Sequence, residues 1–284
     1  MENTRLERPI VVGVKDKQLS ALRYAMTEAS RQKCGVRVVH AYALSDLEPS
    51  LLMTEALELS AEGILGTAKA FLDSEGCEVP VEYVAEVGSA SRVLSAQSES
   101  ARALVLGPDN TSWYEHILTG EVGSWLATHA KSPVVIVPEG WDETHGRRGG
   151  LVVSVDGATD AHGPLTFAFA AAERRGEELH VIHVVPPATS QGDEDEHRLN
   201  IAEVLSGWAE QYPDVTVFRS LVLGRIDEAC AGATSLANLV VVGRPQGRLL
   251  PFSLSKPVAS AVIKEANCPV AVIPANYDGY SADG

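Results

Sequence analysis

The chain says nearly everything twice, and that repeat limits its fold more than any single motif does. "PIVVGVKDKQLSALRYA" (9–25) returns as "GLVVSVDGATDAHGPLTFA" (150–168), and "GVRVVHAYAL" (35–44) as "ELHVIHVVPP" (178–187). "YVAEVGSASRVLSAQSESARALVLGPD" (83–109) is matched by "RSLVLGRIDEACAGATSLANLVVVGRP" (219–245), and "HAKSPVVIVPEG" (129–140) by "EANCPVAVIPAN" (265–276). Positions 107 and 243, 120 and 256, 133 and 269, and 138 and 274 all differ by 136; Lys15 and Asp156 differ by 141, and His40 and His183 by 143. The first half therefore carries seven more residues than the second between its second and third strands. Two homologous domains follow, 1–146 and 147–284, with the boundary close to Gly146 in the polar stretch "EGWDETHGRRGG" (139–150).

Each half reads as five strands alternating with four helices. The strands are short uninterrupted apolar runs such as "IVVGV", "VRVVHAY", "ALVLG" and "PVVIVP". Runs of that kind between helices predict a parallel sheet buried on both faces. Leu19, Leu22, Ala25, Met26 and Ala29 recur at three or four, which predicts a helix after strand one. Right-handed crossovers then give an α/β class chain: two tandem doubly wound domains, each a five-stranded parallel sheet flanked by helices.

Composition narrows the function classes. Of 284 residues, 45% are hydrophobic and 21% charged, a globular balance, and the net charge is −15. That charge argues against a broad basic face for nucleic acid or anionic membrane. No apolar run approaches the roughly 20 residues of a membrane span, and "MENTRLERPIVVGV" has no apolar signal core. Cys34, Cys77, Cys230 and Cys268 form no C-x-x-C pair; they read as small buried hydrophobes in a reducing cytoplasm.

The stretch from strand four to strand five carries the functional question. "LVLGPDNTSWYEHILTGEVG" (104–123) has an apolar run ending at Gly107, a polar loop, and Gly120 at the start of a helix. Strand, glycine, loop and helix N-terminus form a frame for phosphate. Together with "SVDGA" (154–158), "VIHVVPP" (181–187) and the closing "CPV" strand, this stretch resembles the universal stress protein family in its tandem two-domain form. The resemblance implies a pattern G-x2-G-x9-G-[ST] for backbone approach to a triphosphate, and a strand-one aspartate facing the nucleoside. In the first half those positions are Lys15, Gly107, Asn110, Gly120 and Glu121; in the second they are Asp156, Gly243, Gln246, Lys256 and Pro257. The first half has lost the aspartate and closes on an acid, which occupies the helix-end field that a phosphate would use. The second keeps the aspartate, but Pro257 removes a donor N–H and Lys256 stands where the backbone should be bare. Lys15 with Glu121, and Asp156 with Lys256, would each put opposite charges across one crevice, an internal ion pair closing the ancestral pocket. The opposing reading, equally weighted, has ordinary helix-start residues without mutual contact.

Other candidates carry less. His180 and His183 in "HVIH" lie on opposite faces of a strand and cannot readily share a metal. The acidic "SQGDEDEHRL" (190–199) reads as a solvated loop that starts a helix with acids near its positive end. Trp113 and Tyr114 in the first loop read either as a stack for a ligand or a contact for a partner, or as packing onto the domain's own helix, and Phe252 and Leu254 in the second fit a cleft covered from within. There is no G-x-G-x-x-G after strand one, no G-x4-G-K-[ST] and no G-x-S-x-G, so dehydrogenase, P-loop hydrolase and nucleophile-elbow chemistry are disfavoured. The expectation is a non-catalytic cytoplasmic stress-response protein acting through binding, with no cofactor and no metal. The rival is an ATP-binding switch or slow ATPase that uses Mg-ATP in one domain. The proline-flanked final strands would pair the two domains as a pseudo-twofold dimer within the chain. A homodimer of whole chains and an unknown protein partner stay open.

Overall fold

A computed structural model describes residues 6–16, 18–43, 51–107, 126, 130–143, 149–155, 161–244, 262 and 266–279. The chain divides into two compact units, Met1–Asp142 and Glu143–Gly284. Gly146, where the sequence places the boundary, lies outside the described residues.

The first unit runs β1 (Ile10–Gly13), α1 (Leu19–Arg31), β2 (Val36–Tyr42), α2 (Leu51–Ser74), β3 (Val81–Val87), α3 (Ala90–Ser98), β4 (Ala103–Leu106) and β5 (Val134–Ile136). Its strands are ordered β3-β2-β1-β4-β5, and the described pairings are parallel. The second unit runs β6 (Leu151–Val155), α4 (His162–Arg175), β7 (Leu179–Val185), α5 (Gln191–Val204), α6 (Trp208–Gln211), β8 (Val217–Leu223), α7 (Ile226–Thr234), β9 (Leu239–Gly243) and β10 (Val270–Ile273). Its order, β8-β7-β6-β9-β10, repeats the first, again with parallel pairs. In both units the order reverses beside the first strand, which opens a crevice at the strands' carboxyl ends. Where the sequence places a fourth helix in each half, only Leu126 and Val262 are described, and both are helical and buried.

The apolar runs are buried where the sheet is central. β1, β4, β6 and β10 are buried along their whole length, whereas β3 and β8 are half-buried or exposed. α1 differs in detail from its spacing: Leu22, Ala25 and Ala29 are buried, but Leu19 and Met26 only partly. Tyr24 takes their place in the core because Trp141 packs edge-on against it, 5.3 Å between ring centroids. The seven additional residues of the first half lie in the stretch that holds α2, 24 residues long; its counterpart in the second unit is the 14-residue α5 and the short α6. There, Trp208 of α6 stacks on Phe169 of α4 at 4.8 Å.

The repeat extends to single hydrogen bonds. Ser98 Oγ donates to Ser95 O (2.6 Å) and accepts from Lys131 N–H (2.8 Å). Its counterpart Thr234 donates through Oγ1 to Ala231 O (2.7 Å) and accepts from Asn267 N–H (3.1 Å). Each hydroxyl ties the end of a helix to the start of the last strand. α1 and α4 also end alike. The N–H of Lys33 reaches Ser30 O and that of Cys34 reaches Ala29 O; Gly176 and Glu177 repeat both bonds onto Glu173 O and Ala172 O. The pivot is left-handed in both, with φ 49° at Lys33 and 62° at Gly176, a conformation that suits glycine and costs other residues about 1–2 kcal/mol. Lys33→Gly is therefore expected to stabilise the first unit by about 1 kcal/mol, measured as slowed hydrogen exchange in α1 and β2.

Among the described residues no helix is long and apolar enough to cross a membrane. The four cysteines are free; Cys230 and Cys268 are buried, as their reading as small hydrophobes requires, whereas Cys34 and Cys77 are only partly buried.

Candidate functional site

In the first unit, the carboxyl ends of β1 and β2 border a cavity of about 420 Å³. Gly13, Val14 and Lys15 line it from β1, His40, Ala41 and Tyr42 from β2; Ser60 and Ile64 of α2 and Ala90 and Leu94 of α3 close the other walls. His40 is buried and fixed, its Nδ1 2.9 Å from Val14 O. A carbonyl only accepts, so Nδ1 carries a proton, and in the neutral ring Nε2 is the nitrogen with the lone pair. Tyr42 lies nearly parallel to that imidazole, 6.3 Å between centroids. The walls are thus largely apolar, with one oriented imidazole, one phenol ring and the Lys15 backbone at the mouth. This combination suits a flat, partly polar ring system.

The loop after β1 is organised by Gln18. Its Oε1 accepts from the N–H groups of both Lys15 and Asp16, each at 2.9 Å. The buried stem of Gln18 then sets the role of Gly107. A Cβ at Gly107 would lie 2.9 Å from Gln18 Cγ and 3.4 Å from Ala21 Cβ. Gly243 has the equivalent role, since a Cβ there would lie 3.2 Å from Pro164 Cγ of α4. Both glycines thus admit the start of the helix that follows the first strand. The sequence reads them as bare backbone for phosphate; here their missing side chains also make room for helix packing.

Of the other sequence candidates, Asn110, Gly120 and Glu121 lie outside the described residues, as do Asp156, Gln246, Lys256 and Pro257. Trp113, Tyr114, Phe252 and Leu254 do too, so both proposed ion pairs have a partner beyond what is described. Lys15 is exposed at the cavity. Next to Gly243 stands Arg244, whose guanidinium burial lowers to about 10. It still carries its charge at neutral pH, a cation at the carboxyl end of β9 that motif reading passed over.

In the second unit the equivalent of His40 is His183. It is 3% exposed, and its Nδ1 lies 2.8 Å from Val155 O. Its Nε2 meets His197 Nδ1 of α5 at 3.1 Å. His180, as strand alternation requires, faces the other way and stacks on Phe218 at 4.9 Å. The acidic stretch 190–199, read as a loop that starts a helix, is itself helical from Gln191: Ser190 caps α5 by accepting from Asp193 N–H, and the acids Asp193 and Glu194 do stand in the first turn. The 143-residue relation of His40 to His183 was visible in the repeat; the approach of His197 was not.

Residues 7–138 and 150–274 each match the universal stress protein family. A universal stress protein of Mycolicibacterium smegmatis is 29% identical over 293 aligned positions, covering 96% of this chain and 99% of its own length. One from Mycobacterium tuberculosis H37Rv is 27% identical over the same shares of the two chains. The crystal structure of a universal stress protein from Archaeoglobus fulgidus superposes with a TM-score of 0.69 at 18% identity, covering 93% of this chain and 96% of that one.

Proposed function

The chain belongs to the universal stress protein family, and on that premise we propose that it is a non-catalytic stress-response protein that acts through binding, its triphosphate seats degenerate. The observation that carries this reading is the packing at Gly107 and Gly243. Gln18 and Ala21 approach the first, and Pro164 the second, within 2.9–3.4 Å of where a Cβ would be. That packing gives both glycines a use in helix docking that does not call for a phosphate, so the glycines by themselves do not mark a working seat. Glu121 at the first helix start, with Lys256 and Pro257 at the second, continues the same trend in sequence. The ion pairs Lys15–Glu121 and Asp156–Lys256, and pairing of the two domains through their final strands, belong to this proposal.

A second reading has its own observation. The cavity of about 420 Å³ beside His40 and Tyr42 has the size and lining of a small-molecule site. It favours the first unit as the one that would take a nucleotide and act as a switch, with Mg-ATP as the ligand.

Calorimetric titration of nucleotide-free protein with Mg-ATP separates the two. The binding-scaffold reading expects no saturable heat up to about 1 mM, equivalent to less than about 4 kcal/mol of binding, and no release of phosphate. The switch reading expects about one site per chain at about 1 μM, or about 8 kcal/mol. That site should be lost when Ala41→Trp fills the cavity. Saturable binding that survives Ala41→Trp would remove the first unit's cavity from consideration; steady phosphate release would overturn the non-catalytic reading.

A further inference from the structure

His183 and His197 are two imidazoles from different elements whose ring nitrogens face one another at 3.1 Å, with centroids 4.9 Å apart and planes tilted by 42°. We propose that they form a two-histidine site for a divalent transition-metal cation of the zinc, copper or nickel class.

The geometry carries this in three steps. Val155 O holds the Nδ1 proton of His183 at 2.8 Å, so Nε2 presents its lone pair to His197 in a fixed direction. Backbone carbonyls commonly hold metal-binding imidazoles in this way. Two metal–nitrogen bonds of about 2.0–2.1 Å, meeting at tetrahedral or octahedral angles, place their nitrogens about 2.8–3.4 Å apart. The observed separation of 3.1 Å lies inside that range, so binding requires the rings to turn until both lone pairs meet beside the N–N line rather than to move apart. Without metal, His183 Nε2 accepts and His197 Nδ1 donates. Binding requires the neutral His197 ring to carry its proton on Nε2 instead, with no net proton change and no other reactant.

The surroundings fit a cation. His197 is half-buried on α5, so part of its ring reaches water. Among the described residues no group of three or more His, Cys, Asp or Glu could hold a metal, so water would fill the remaining positions. Asp193 and Glu194 stand one turn before His197, and Glu194 lies 3.7 Å from Arg198. Imidazole donors with open water positions favour zinc, copper and nickel over magnesium or calcium. The site would also tether α5, in which Ile201 is the only buried residue, to β7, which lies between β8 and β6. The first unit has the fixed imidazole, His40, against the cavity wall instead.

The test is titration of tag-free, metal-stripped full-length protein with Zn2+, followed by calorimetry, with Cu2+ and electron paramagnetic resonance as a second readout. The expected result is about one site per chain with two imidazole nitrogens on copper. His197→Ala should weaken it by at least about tenfold, while His180→Ala, on the opposite face of the same strand, should leave it unchanged. Circular dichroism verifies that His197→Ala is folded, and His197→Gln serves if it is not. Absence of saturable Zn2+ binding below about 1 mM, unchanged binding in the His197 variant, or a copper signal with fewer than two nitrogens would overturn the site.

Discussion

Replacing Arg37 with methionine is expected to destabilise the first unit by about 3 kcal/mol, read as accelerated hydrogen exchange across β1, β2 and β3. Arg37 sits in the sheet interior at 2% exposure, in register with Glu82. Its Nε donates to Glu82 Oε2 at 2.8 Å, Nη1 to Gln97 Oε1 at 3.0 Å and Nη2 to Leu6 O at 3.3 Å. Gln97 in turn donates to Glu86 at 3.1 Å. Methionine would supply none of these donors, leaving a carboxylate of 18% side-chain exposure and an amide oxygen without them. The loss comes mostly from the groups left behind, because desolvating two charges offsets much of the attraction between them. The double variant Arg37→Met with Glu82→Leu should therefore recover at least half of the loss. The repeat contains a natural precedent. At the same register position of the second unit, His180 and Phe218 stack instead. A double variant as unstable as Arg37→Met alone would show that the net attraction, rather than the stranded partners, carries the energy.

Gly163→Ala should lower the stability of the second unit by about 2 kcal/mol, although alanine is worth about 1 kcal/mol more than glycine within a helix. A Cβ at Gly163 would lie 2.2 Å from Pro274 O and 2.7 Å from Ala275 O. Both obstacles are backbone, so no side chain can rotate away. Relief requires the start of α4 to withdraw from the chain after β10, which would loosen Leu165 and Phe169 in the core. The measurement is the urea midpoint together with exchange in β10 and α4. Gly66 of α2 supplies the control, since a Cβ there meets nothing within 4 Å. Gly66→Ala should leave stability unchanged or raise it, and equal losses at both positions would refute the packing argument.

Much of this architecture was legible in one dimension because it is set by local pattern. Short Val and Ile runs between helices call for a parallel sheet buried on both faces, and the exact recurrence of those runs calls for two domains. The insertion between the second and third strands could be counted from the offsets, and the acidic start of α5 followed from helix electrostatics. His180 and His183 were separable by strand alternation alone. These features depend on neighbours within a few residues, or on copying, and both are written in the sequence.

What three dimensions decided concerns residues whose role depends on what approaches them. Gly107 and Gly243 look like phosphate glycines in sequence; the fold adds that Gln18 and Pro164 crowd the space their missing side chains leave. Arg37 and His180 occupy matching strand positions, yet one lies in a buried charged network and the other stacks on an aromatic ring. His197 looks like one more polar residue in an acidic helix until α5 folds its ring to within 3.1 Å of His183. Sequence alone determined the repeat, the sheet and the family, because hydrophobic period and chain order act locally. Tertiary structure determined which side chains crowd the two glycines, which residues line the first unit's cavity and which imidazoles meet, because those outcomes depend on contacts between residues far apart in the chain.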